Sequence, residues 1–204
     1  MKHRIGLALF VCIALQGSVW AATQFTGLQE SISKAIAILR DPGLAAPSRV
    51  DERRNLLRNT IYTQFDFAAM SSNAVGPAWR NFTPQQKERF VVTFRQLLED
   101  SYLDKIENYR GETIEFLKDV PEGPNTSRVD SVVKTPSAEY KMSYRLIKGS
   151  QGWKVFDVIL EGISLGSNYR GQFQQILSRS SVDEMLVQLD NKIRDNAARR
   201  AGKK

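Results

Sequence analysis

Apolar residues at Phe25, Leu28, Ile32, Ile36 and Leu39 follow three-and-four spacing, which predicts an amphipathic helix over 24–39 ended by Asp41-Pro42. A more polar helix is expected over 48–62. Phe65-Asp66-Phe67 then leads into a short helical piece that reaches Ala74 and breaks at Gly76-Pro77. The strongest start signal follows. Thr83 can cap, Pro84 fits the first turn, and Gln86 completes a capping box. The stripe behind it, Phe90, Val91, Phe94, Leu97, Leu98, Tyr102 and Ile106, predicts a long helix stopped by Gly111.

From 112 to 160 the period changes to two. Ile114 and Phe116 alternate with acids, Pro121-Glu122-Gly123-Pro124 reads as a turn, and 129–133 forms a second alternating run. The cleanest strand carries Tyr140, Met142, Tyr144 and Leu146, and Gly149-Ser150-Gln151-Gly152 turns it into the run 153–160. That last strand is apolar on both parities, with Phe156, Val158 and Leu160 on one side and Trp153, Val155 and Ile159 on the other, so both of its faces should be covered. The pattern leaves the hairpin register open, because one residue more or less in the turn exchanges the two sets. Two helices close the chain, the second opened by Ser181 and Glu184 in another capping box. The fold class is therefore α+β: a four-stranded antiparallel meander packed against N- and C-terminal helices.

The N-terminus adds a processing step. Met-Lys-His-Arg precedes the apolar stretch 5–15, and Val19-Trp20-Ala21 offers a small-x-small site, which together describe a secretory signal peptide over 1–21. The apolar stretch is too short to span a bilayer. Cleavage after Ala21 would leave one domain over 22–204 with a basic, flexible tail at 196–204. It would also remove Cys12 and His3, each the only residue of its type. Taking Lys2 and Arg4 from the 29 basic residues leaves 27 against 22 acidic ones, a net charge of +5 in place of +7. An exported basic protein meets membrane surfaces and acidic partners rather than nucleic acid, and no aromatic-basic single-strand motif opposes that reading. Arg53-Arg54 and the C-terminal tail are the candidate basic docking faces.

One motif points to chemistry. Gly162, Ser164 and Gly166 spell G-x-S-x-G, the spacing of a serine-hydrolase nucleophile elbow, between an apolar strand and a helical pattern. A serine nucleophile needs a base, and the mature chain has no histidine. Only a Ser-Lys dyad would remain, and nothing marks a lysine as its partner. The expected role of Ser164 is a helix cap. Asp157 and Glu161 permit a paired-carboxylate reading, but Asp157 between two apolar residues is better suited to accept hydrogen bonds from Tyr144, Arg145, Arg170 or a backbone amide. No metal-ligand spacing and no phosphate-cradling glycine loop occur. The chain is expected to be neither an enzyme nor a cofactor binder.

Five blocks in order carry a resemblance. They are Phe65-Asp66-Phe67-x-x-Met70; Trp79-Arg80 with Thr83-Pro84-x-Gln86-x-x-Arg89-Phe90; Tyr109-Arg110-Gly111; Trp153-Lys154-Val155-Phe156-Asp157-Val158; and Glu161-Gly162-Ile163-Ser164-Leu165 with Asn168-Tyr169-Arg170-x-x-Phe173. Over about 30–195 the chain resembles the MlaC, or toluene-tolerance, family of periplasmic phospholipid-binding proteins. Gly166 is not part of that pattern. The resemblance implies a monomeric periplasmic carrier that holds acyl tails in an apolar cavity between helices and sheet. It further implies exchange with an inner-membrane ABC transporter complex and an outer-membrane lipoprotein/porin complex. A hopanoid-associated branch looks similar, and a protein-binding adaptor on the same scaffold is the alternative outside lipid transport.

The family's cavity residues do not align as a motif, so the expected tail contacts come from periodicity: Phe94, Leu98, Tyr102, Met142, Tyr144, Leu146, Phe156, Val158, Leu160, Tyr169 and Phe173. For each of them a dry-core position is the competing assignment.

Overall fold

The computed structural model describes residues 21–201, with the surroundings of side chains given for 26–199 except Asp104. Residues 1–20 of the expected signal peptide lie outside the described residues. Six α-helices and five strands follow in the order α1 (Ala21–Arg40), α2 (Val50–Gln64), α3 (Phe67–Val75), α4 (Pro84–Glu107), β1 (Thr113–Gly123), β2 (Thr126–Lys134), β3 (Glu139–Gly149), β4 (Gly152–Leu160), β5 (Ile163–Ser164), α5 (Leu165–Leu177) and α6 (Val182–Ala201). α6 carries the helix through 196–201, the first part of the expected tail.

Both capping boxes form. Thr83 N–H donates to Gln86 Oε1 at 3.0 Å, and Gln86 N–H returns to Thr83 Oγ1 at 3.2 Å. Ser181 N–H donates to Glu184 Oε2 at 2.7 Å, with Glu184 N–H on Ser181 Oγ at 3.3 Å. Each box satisfies two amides that the helix start would leave unpaired. Asp66 caps α3 by accepting from Ala69 N–H at 2.8 Å, while its own N–H donates to Val155 O at 2.9 Å. One residue thus ties the α2–α3 corner to the outer edge of β4.

The sheet is an antiparallel meander in the order β1-β2-β3-β4-β5. It has five strands where the pattern predicted four, because the corner after Leu160 folds back as the two-residue β5, pairing Leu160 with Ile163 and Ile159 with Ser164. The first turn also shifts. β1 runs through Pro121 to Gly123, and the reversal falls at Pro124-Asn125. Pro121 is tolerated because β1 is an edge strand, where a missing N–H removes no ladder bond on the open side.

The β3–β4 register, open in the sequence, is set by Gly149 facing Gly152 across Ser150-Gln151. Leu146 then faces Val155 and Tyr144 faces Val158, so a bulge absorbs one residue of β4 opposite Arg145. The bulge reverses the parity of the strand. Val155 and Val158 share the face of Tyr144 and Leu146, while Phe156 turns to the other face, under the Arg145 guanidinium at 5.0 Å. The expected grouping of Phe156 with Val158 and Leu160 is therefore corrected, and two apolar parities are explained by a bulge plus cover on both sides of β4.

Buried side chains form two separate clusters. One joins α3, α4, α5 and α6 around Phe90, Phe94, Tyr169 and Phe173; the other lies on the inner sheet face around Val129, Tyr144, Leu146 and Val155, closed by Leu28 of α1. Phe65 touches both. A polar seam joins α2 to α4 beside them. Arg54 donates to Glu107 at 2.8 Å, Arg58 pairs with Glu99, and Tyr62 Oη–H donates to Glu99 Oε2 at 2.7 Å.

Candidate lipid-binding face

The eleven predicted tail contacts divide between the two clusters. Phe94, Leu98, Tyr169 and Phe173 are buried in the helical cluster, and Tyr102 and Phe156 lie half-buried against it. Their rings are close-packed: Phe94 meets Tyr169 edge-on with centroids 5.1 Å apart and Phe173 at 5.6 Å. That is the geometry of a filled aromatic core.

The remaining five sit on the inner sheet face. Tyr144 and Leu146 are buried there, Met142 and Val158 are half-buried, and Leu160 stands exposed at the end of β4. Register makes them one surface, since Met142 faces Leu160, Tyr144 faces Val158, and Leu146 faces Val155. The list missed Val129, Val155, Leu28 and Ile32 of the same face. Val129 and Val155 were visible as strand residues, and Leu28 and Ile32 as the α1 stripe; their common destination depends on the bulge and on where α1 docks, neither of which is written in periodicity.

The face is apolar but not purely so. Ser127 and Ser131 are buried on it, and Ser131 Oγ–H donates to Met142 O at 2.9 Å. The Tyr144 hydroxyl donates to Met142 Sδ at 2.9 Å, a weak acceptor. Burial pushes the Tyr144 phenol well above its ordinary range, so it stays neutral and remains a donor. A slab of methyls and a thioether, with its hydroxyls paired inside the protein, can cover acyl chains.

Ser164 and Asp157 take structural places. Ser164 Oγ–H donates to Asp157 Oδ2 at 2.6 Å, and the same oxygen accepts Ser167 N–H at 3.0 Å as the cap of α5. Asp157 Oδ1 accepts Gly166 N–H at 2.9 Å, the backbone-amide partner foreseen for it, while Ser164 is an additional donor. Among the described residues no group of His, Cys, Asp or Glu could hold a metal ion, and no helix is long and apolar enough to cross a membrane. Arg53 and Arg54, one expected basic docking face, are turned to Glu107 of α4. An open cleft between the end of α2 and the β3–β4 turn, lined by Tyr62, Phe65, Phe67 and Lys154, contains none of the predicted tail contacts.

An antiparallel meander with one apolar face packed against helices places the chain among the α+β proteins. The family model described as MlaC protein matches residues 29–191, and the chain belongs to that family. It is 23% identical over 141 residues to the intermembrane phospholipid transport system binding protein MlaC of Haemophilus influenzae, covering 67% of this chain and 66% of that one. It is 31% identical over 106 residues to the toluene tolerance protein ttg2D of Pseudomonas putida, covering 51% of this chain and 49% of that one. The alignments thus span just under two thirds and about half of these relatives. The fold matches a solved structure of the phospholipid-binding protein from Ralstonia solanacearum in complex with a phospholipid. The TM-score is 0.74 at 26% identity, over 86% of this chain and 98% of that chain.

Proposed function

We propose that this chain is a periplasmic phospholipid carrier that is exported by cleavage after Ala21. In this reading it moves lipid as a monomer between an inner-membrane ABC transporter complex and an outer-membrane lipoprotein/porin complex. The observation that carries the reading is the likeness, over 86% of this chain and 98% of the other, to a protein solved with a phospholipid bound. The apolar inner sheet face and the family membership support it.

The physics suits a carrier rather than a catalyst. Two acyl tails hold about 30 methylenes worth about 0.8 kcal/mol each on leaving water, a total of about 24 kcal/mol. That exceeds the practical ceiling of about 21 kcal/mol for noncovalent affinity, so a carrier must exchange its cargo with a bilayer and not with water. Its walls need only rival a bilayer interior. The cargo site we assign is the sheet face of Met142, Tyr144, Leu146 and Val158. Ser164, committed to Asp157 and Ser167, is left out of any turnover.

Native mass spectrometry of the purified protein, followed by incubation with phospholipid vesicles, tests the proposal. Co-purified or extracted phospholipid is the expected result. Protein that stays free of lipid in both experiments would overturn it.

A further inference from the structure

The apolar sheet face is closed at one end and open at the other. Near the β3–β4 turn, Leu146 and Val155 are fully buried beneath Leu28. At the far end the same face continues through Tyr140, Leu160 and Ile163, which are 43%, 47% and 67% exposed. The continuity is set by register: Met142 faces Leu160, and Leu160 faces Ile163. Single exposed apolar residues are ordinary, whereas a run joined to a buried apolar face marks a surface that receives something.

The turn between Leu160 and Ile163 is held in a fixed shape. Glu161 has φ 50° and Gly162 φ 80°, two successive left-handed residues in a two-residue hairpin. For a glutamate that conformation costs about 1 kcal/mol or more. Lys141 offsets it from β3, because Glu161 N–H donates to Lys141 O at 2.9 Å and the Glu161 carboxylate accepts Lys141 N–H. The tip is thus pinned to β3 with its two apolar side chains outward.

We infer that the Leu160-Glu161-Gly162-Ile163 hairpin is the lip over which an acyl chain of the cargo phospholipid slides between the donor or acceptor and the sheet face. The inference rests on the carrier reading. Every methylene left bare in transit raises the barrier by up to about 0.8 kcal/mol, so a rigid apolar ramp joined to the binding face speeds exchange without changing the final occupancy. Loss of Ile163, which is not among the tail contacts, should therefore slow transfer and leave the bound state alone.

The experiment follows a phospholipid with a fluorescent acyl chain from vesicles of phosphatidylethanolamine and phosphatidylglycerol onto the purified protein. It compares Ile163→Ser with a control, Val92→Ser/Val187→Ser, which removes exposed apolar residues from α4 and α6. The lip variant should load about fivefold more slowly to an unchanged plateau, with the control like wild type. Ile163→Ala, at the same exposed site and with the turn residues intact, should show the same direction if the serine variant folds poorly. A lip variant slowed less than about twofold while wild type loads normally would overturn the lip and leave the carrier standing. A wild type that takes up no lipid overturns both. A variant that changes oligomeric state at an unchanged rate assigns the patch to a second copy of the chain and overturns the lip.

Discussion

Ser164 holds Asp157 and the first turn of α5 together: its hydroxyl donates to Asp157 Oδ2 at 2.6 Å and accepts Ser167 N–H at 3.0 Å. A serine beside a carboxylate inside G-x-S-x-G looks like part of a catalytic set, yet both of its hydrogen-bonding directions are occupied by the fold. Ser164→Ala should remove a cap and strand one oxygen of a buried carboxylate, lowering stability by about 1 to 3 kcal/mol. Urea unfolding measures this, and lipid loading per folded molecule should be unchanged. A variant as stable as wild type would contradict the assignment.

Gly166 is required by proximity rather than by backbone conformation. A β-carbon there would overlap Asn73 Nδ2 and approach Asp157 Oδ1 within 3.3 Å. Asn73 has little room to give, because its backbone and side-chain oxygens both accept from Arg170, at 2.7 and 2.8 Å. Gly166→Ala should thus destabilise by about 1 to 3 kcal/mol through overpacking between α3 and α5. Gly171→Ala on the same helix, with open space at the β-carbon, should be neutral or slightly stabilising. Thermal melts of the pair decide the matter.

How much of this was legible depended on whether a feature is local. The caps at Thr83 and Ser181 were readable because a capping box needs only four consecutive residues. The α4 stripe and the Tyr140 to Leu146 alternation were readable because their periods are intrinsic. The side of β4 that carries Phe156 was not, since the bulge opposite Arg145 depends on pairing with β3 and on cover from α3 and α5. Nor could periodicity separate Phe94 from Tyr144 as tail contacts. Both are buried aromatics at the expected spacing, and only the assembled fold puts them in different clusters. Pro121 misled for a related reason: proline and glycine mark turns, but an edge strand also accepts them.

The two clusters predict opposite consequences for substitutions. Phe94 is 1% exposed and ringed by Phe90, Tyr169 and Phe173. Phe94→Ala should destabilise by about 3 to 5 kcal/mol. Val158 is half-buried on the sheet face opposite Tyr144, and Val158→Trp should fill space that cargo would take, with a smaller loss of stability. Mass spectrometry should find less phospholipid on Val158→Trp. Equal loading of this variant and wild type would move the cargo site away from the sheet.

Tyr62 gives the α2–α4 seam a signature in alkali. Burial, and then its hydrogen bond to Glu99, push its phenol up to about 12 from an ordinary value of 10.0, and the nearby Arg95 and Arg58 offset only part of the rise. A raised folded pKa means that the folded state keeps the proton longer than the unfolded one. The stabilisation is therefore fully present below about pH 10 and is lost as pH climbs from there through about 12. Phenolate absorbance, compared with Tyr62→Phe, should show this residue losing its proton well above the ordinary phenol value, and unfolding free energy should decline over the same window. Glu99→Gln removes the carboxylate but keeps the burial, so Tyr62 should titrate earlier, while still above an exposed tyrosine. The same variant leaves the Arg58 guanidinium without its ion pair, so its stability should also fall at neutral pH, where Tyr62 carries its proton in either state.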